Sequence, residues 1–268
     1  MKVALVLVGL MRCYEEGYNA FRKHVLDLWG DNIDVHIHTW SEIGYYTGRG
    51  YKKRGEDGFI RTSDDDKGFF DDGQAVDITH VQNLYYPWLK TIEVEDWTGG
   101  YEPQFNKMAE DYPNAYTRPK NTLAQFYKIF MGMRNVEKYA AQNNITYDFV
   151  FRTRPDFVIQ SNFPVSWDAD KFYVNPGTNP KGVGFGDQFH ASSYENMIKF
   201  SELFVNVDKL YNEIGYSCPH AYTQRWLQKL QIPAEVLTMN STIAHSPTGI
   251  YCEPDLGRPL KEGELEKE

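Results

Sequence analysis

The segment YDFVFRTRPDFVI, residues 147–159, has the apolar content of a strand but carries two arginines, a proline and an aspartate. Side chains two apart on a strand point to one face, so Arg152, Arg154 and Asp156 can share a side. Pro155 has no N–H for the ladder and marks the strand end. Guanidinium groups contact phosphate oxygens in pairs, and a carboxylate offers a hard oxygen to Mg2+ or Mn2+. The trio suits a diphosphate with a divalent ion; an internal Arg–Asp pair beside a solvated arginine is the alternative. GLMR, residues 9–12, is a second candidate. Gly9 lets backbone approach a ligand, and Arg12 can pair with a phosphate. In GFGDQF, Asp187 is either the N-cap of a following helix or a general base. His245 is a candidate metal or phosphate contact. His36 and His38 share a strand face without an evident third ligand, and read as a structural pair.

These residues need a frame. KVALVLV, residues 2–8, is a continuous apolar run, as in a strand buried on both faces. Helical spacing follows over 14–29, and IDVHIHTW, residues 33–40, is a second strand. Strand, helix and strand in that span make a βαβ unit with a parallel pair. Gly9 and Arg12 then fall at the carboxyl ends of the strands, where open α/β sheets bind ligands. Residues 41–75 lack periodicity and include the acidic run TSDDDKGFFDDG, read as a long irregular loop. Short strands are expected near 76–81, 90–95, 170–175 and 235–239, and the longest helix over 121–142. GVGFGDQF reads as a glycine-rich loop. Further helices are expected over 192–206, 208–214 and 219–231, and a charged tail over 253–268. The sum is one α/β domain spanning 1–268, with a mainly parallel central sheet flanked by helices.

Composition limits the function classes. A net charge of −9 argues against nucleic acid as a partner. Aromatic content of 15%, with 19 tyrosines and 6 tryptophans, suits either an aromatic-rich core or the stacking of rings on sugars. Cys13, Cys218 and Cys252 show no metal-binding or disulfide spacing, which fits a reducing, cytoplasmic compartment. There the N-x-[ST] triplets at Asn144 and Asn240 meet no glycosylation machinery. The apolar run at the start is too short for a signal peptide, and no run reaches the roughly 20 residues that span a membrane. Nothing in the sequence sets an oligomeric state.

Five segments in order, LVGLMR, DVHIHTW, QFYKI, YDFVFRTRPD and DQF…SYENM, resemble GT-A-type glycosyltransferases. That family serves bacterial lipopolysaccharide and capsule synthesis and has relatives in large DNA viruses. The likeness covers residues 1 to about 200. It implies a Rossmann-like GT-A domain that moves a sugar from a nucleotide donor, UDP- or GDP-linked, to a hydroxyl of a glycan. It also implies a Mn2+ or Mg2+ ion held by a D-x-D-like motif. Here Arg154-Pro155-Asp156 takes that place, with Asp156 its only acid. The resemblance puts Asp187 at the acceptor as base, and Gln125 and Lys128 on the donor side. Near SCPHAYTQRWL relatives carry an acidic residue after a proline, where this chain has His220. Two rival classes remain. A sugar-phosphate nucleotidyltransferase would have a basic glycine-rich start, unlike VGLMRCYEEG. A non-catalytic glycan-binding protein would need the aromatics but not the Arg/Asp chemistry.

Overall fold

The computed structural model describes residues 1–43, 54–55, 58–59, 75–115, 119–161, 167–179, 182–237 and 241–243. The chain opens with strand β1 (Val3–Gly9), whose alternate side chains are all buried. Val3, Leu5 and Leu7 face helix α1 (Tyr14–Phe21), where Tyr18 and Phe21 join one core. Ala4, Val6 and Val8 face the opposite core. Burial on both faces is why the run is unbroken by polar residues. A wider turn (Arg22–Leu26) and a last helical turn (Asp27–Trp29) carry α1 on to β2 (Ile33–Trp40).

Next in the chain come α2 (Ile78–Tyr85), β3 (Leu89–Glu95) and α3 (Glu102–Ala109). Helix α4 (Pro119–Asn143) crosses the second face of the sheet with Leu123, Phe126, Ile129, Met133 and Val136 buried. It lies close to β1: a Cβ on Gly132 would stand 2.7 Å from a Val8 methyl. Strands β4 (Phe149–Thr153) and β5 (Phe157–Ile159) follow, then β6 (Phe172–Asn179) and β7 (Gly182–Ser193). The described chain ends with α5 (Tyr194–Ser201), α6 (Val207–Ile214), α7 (Pro219–Leu230), β8 (Ala234–Val236) and β9 (Ser241–Ile243).

Seven strands form one sheet in the order β8-β6-β7-β4-β1-β2-β3. All neighbours are parallel except β7, which runs antiparallel to both β4 and β6. The expected α/β class, with a mainly parallel sheet flanked by helices, is therefore what the chain adopts. β9 pairs with β5 in a separate two-stranded ribbon. Among the described residues no helix is long and apolar enough to cross a membrane.

Three local expectations are corrected. The segment expected as a strand near 76–81 is the start of α2, because Asp77 caps it: its carboxylate accepts the His80 N–H at 2.9 Å. GVGFGDQF is not a loop but the first part of β7, since β6 offers it a ladder, Pro176 opposite Phe185 through Asn179 opposite Gly182. The helix expected over 192–206 breaks after Ser201 and ends as a short 3-10 turn, Phe204–Asn206. Within residues 41–75, a two-residue antiparallel pairing of Arg54–Gly55 with Gly58–Phe59 is described. The charged tail, 253–268, lies outside the described residues.

Candidate functional site

The parallel strands end together on one edge of the sheet: Gly9 pairs with Thr39, Trp40 with Glu95, and Leu7 with Thr153. Gly9 turns the chain there with φ +113°, a left-handed value suited to glycine. Its carbonyl accepts the Thr39 hydroxyl at 2.7 Å. The turn sends Arg12 toward the loop between β4 and β5. α1 is then pressed onto that loop at Gly17, where a Cβ would lie 1.8 Å from the Pro155 carbonyl oxygen. Only a hydrogen fits, and this contact sets Arg12 against Asp156.

Asp156 is 1% exposed, and guanidinium groups engage both its oxygens. Arg154 donates from Nε to Oδ1 at 2.9 Å and from Nη2 to Oδ2 at 2.6 Å. Arg12 Nη2 stands 3.0 Å from Oδ2. The Arg154 side chain is 24% exposed and that of Arg12 11%, so the carboxylate lies beneath and the cations lie toward solvent. Burial would lower the pKa of Arg154, but the Asp156 charge and hydrogen bonds outweigh it and hold the guanidinium more firmly protonated. Burial dominates for Arg12 and lowers it, with Asp156 opposing. The pairing foreseen as an alternative is present, with two arginines rather than one.

Arg152 is placed differently. It is fully buried, with Nη1 donating to the backbone carbonyl of Asp187 and standing near His190. Gln125 of α4 donates to the same carbonyl at 2.9 Å. Together they pin Asp187 in place. Arg152, expected from the sequence as a phosphate contact, has protein partners, its guanidinium buried against β7. Lys128, one helical turn beyond Gln125, is also fully buried. Its ammonium donates to the Thr39 carbonyl and to Glu95, each at 2.7 Å, and sits 3.5 Å above the Trp40 ring. Burial pushes it down to about 8 despite Glu95. Lys128, expected from the resemblance on the donor side, ties α4 to the ends of β2 and β3.

Asp187 is not an N-cap; Ser193 holds that position for α5. It lies within β7, beyond the end of β4, where the register with β6 shifts between Val174 and Pro176. Asn175 fills that irregularity, accepting the N–H groups of Gln188 at 3.2 Å and Phe189 at 3.0 Å. Gly186 permits this, since a Cβ there would lie 2.4 Å from the Asn175 amide. The turned Asp187 carboxylate meets His220 at 3.2 Å, from Nε2 to Oδ1. Burial would raise its pKa, but His220, Arg154 and Gln125 outweigh that and hold it well below the carboxylate range. His220 is the second residue of α7 and follows Pro219, a common first helical residue. The sequence marked His220 only as a departure from an acid; its pairing with Asp187 needed the sheet register to become visible.

His36 and His38 behave as a structural pair. His36 lies between Thr91 and Tyr147, and burial pushes it down to about 4. His38 is pushed down to about 3 by burial and by Lys128. His245 lies outside the described residues; β9 before it ends at Ile243, opposite Phe157.

A divalent ion of the kind the resemblance implies does not fit the residues described. A cation brought to Asp156 would displace or face two guanidinium groups. Among the described residues no three His, Cys, Asp or Glu side chains gather as a metal would need.

No family model matches the chain, and no curated protein matches it. Solved structures do: one is the apo form of mouse xyloside xylosyltransferase 1, with 10% identity and a TM-score of 0.43. The alignment covers 88% of this chain and 84% of that one.

Proposed function

We propose that the protein is a glycosyltransferase that moves a sugar from a nucleoside diphosphate to a hydroxyl of a glycan. One observation carries this reading. Two partly exposed arginines, set by one buried carboxylate, share the carboxyl edge of the sheet with an ionised Asp187. Sugar transfer with inversion uses those two kinds of group: cations where the leaving diphosphate gains charge, and a carboxylate where a hydroxyl loses its proton.

In the proposed reaction Arg12 and Arg154 bind the donor diphosphate and stabilise the oxygen that departs. The bond between the anomeric carbon and that oxygen breaks as the acceptor oxygen bonds to the same carbon from the opposite face. The acceptor proton passes to the Asp187 carboxylate, and His220 beside it stabilises the position of that group. Because Asp187 is a weak base, it takes the proton late, once the acceptor oxygen has already gained positive charge. Gln125 and Arg152 hold the strand that aims it, and Gly9 leaves open space at the edge. The buried free cysteines Cys13 and Cys218 agree with work in a reducing, cytoplasmic setting.

The test is a thermal-shift screen of UDP- and GDP-sugars, followed by a donor-hydrolysis assay. Stabilisation by one nucleotide class, with release of its diphosphate, is the expected result. A protein stabilised by glycans but by no nucleotide would be a glycan-binding module, and the reading would fall.

A further inference from the structure

We infer that this site binds the diphosphate of its donor without a divalent metal ion, Arg12 and Arg154 taking the cation's place. The inference rests on the nucleotide-sugar reading above and gives Asp156 a different task from the one its motif implies. A metal-binding aspartate must turn at least one oxygen toward the ligand. Here Oδ1 receives Arg154 Nε, and Oδ2 receives both Arg154 Nη2 and Arg12 Nη2. The carboxylate is 1% exposed beneath them, whereas the arginines are the parts that reach solvent.

The backbone is built around that arrangement. Gly17 lets α1 touch Pro155, which brings Arg12 from one strand end to the Asp156 of another. Arg154 receives two hydrogen bonds' worth of restraint from a residue only two positions away. Both guanidinium groups are thus held in place before any ligand arrives, which lowers the entropy lost on binding. A second carboxylate at the edge, Asp187, is engaged by His220 and carries the Arg154 charge nearby. A dication between the two acids would face Arg12 and Arg154 at close range. A diphosphate meets the opposite situation: its charge adds to that of the acids in balancing the guanidinium cluster. Asp156 therefore organises arginines, and the arginines bind phosphate.

The experiment uses the full chain, stripped of metal by dialysis against a chelator. UDP and GDP are titrated calorimetrically in the chelator buffer, and again with Mn2+ or Mg2+ in excess. The expected result is binding in chelator that changes less than about threefold with either ion. Arg154→Gln is expected to weaken that metal-free binding by about tenfold or more, as the loss of a charge-assisted bidentate contact does. Arg154 is part-exposed, so this variant can be checked for folding by its own melting curve. Binding that appears only with a metal, or tightens threefold or more with one, overturns the inference and leaves the transferase reading in place. Metal-free binding that Arg154→Gln leaves unchanged also overturns it. Absence of UDP and GDP binding under every condition overturns the nucleotide reading itself, and the inference with it.

Discussion

Replacing Gly17 by alanine tests whether packing of α1 sets the site. The added Cβ would lie 1.8 Å from the Pro155 carbonyl oxygen, and real Cβ contacts do not fall below 3.0 Å. The helix or the loop must therefore give way by at least 1.2 Å, the difference between those two distances. If the helix moves as a body and carries the Arg12 head with it, the 3.0 Å contact to Asp156 opens to 4.2 Å, beyond ion-pair range. Overpacking of this kind costs about 1–3 kcal/mol. Losing one of two cations on a buried carboxylate adds about 1–2 kcal/mol. Alanine returns about 1 kcal/mol through its better helix propensity. The net expectation is a loss of about 2 kcal/mol, read as a urea midpoint lower by roughly 1 M. Binding of UDP or GDP should weaken about tenfold, since Arg12 no longer faces the same point. An unchanged or higher midpoint would refute the packing argument. A lower midpoint with unaltered nucleotide binding would refute the claim that this contact positions Arg12.

Three other outcomes are expected. His36 is neutral and pushed down to about 4 by burial, while an unfolded imidazole titrates near 6.5. Between those values the unfolded chain takes up a proton that the folded one refuses, so stability falls as pH drops from about 6.5 to about 4. The loss from His36 is about 3 kcal/mol; urea midpoints across that range should show it, and His36→Gln should reduce the slope while His38, also pushed down, keeps part of it. Asp187→Asn should reduce turnover by about 100-fold or more while nucleotide binding stays close to wild type, as measured by calorimetry beside the activity assay. Equal loss in both would make Asp187 a binding residue. Lys128→Met should destabilise the fold by about 3 kcal/mol, because it leaves Glu95 without its ammonium. Nucleotide affinity should not change, and a selective loss of affinity would return Lys128 to the donor side.

How much was legible in the residues differs by what fixed each feature. The extent of β1 followed from an unbroken apolar run, because burial on both faces leaves a signature in composition alone. Arg152, Arg154 and Asp156 stood out because a strand end with charges is itself unusual, and Gly9 and Arg12 stood out separately at the end of β1. Their division of labour was not legible. Whether Asp156 gains Arg12 beside Arg154 depends on where α1 sits, and that is decided by a hydrogen atom at Gly17 against a carbonyl at Pro155. β7 was hidden for a related reason. Its glycines suggest a loop until β6 is set beside them, where the Asn175 amide takes the space over Gly186 and the β7 backbone takes the space over Gly177. Arg152 and Lys128 show the limit from the other side. Both are cations at spacings that suit a ligand, yet both point inward, one to a β7 carbonyl and one to Glu95. A buried cation is tolerated only where acceptors wait for it, and those acceptors come from strands distant in sequence. The same argument separates the two kinds of arginine at this edge. Arg152 is buried with its Nη1 on the Asp187 carbonyl, whereas Arg12 and Arg154 rest on one shared carboxylate and keep a side toward solvent. The difference in exposure, rather than the shared residue type, is what supports proposing phosphate for the second pair.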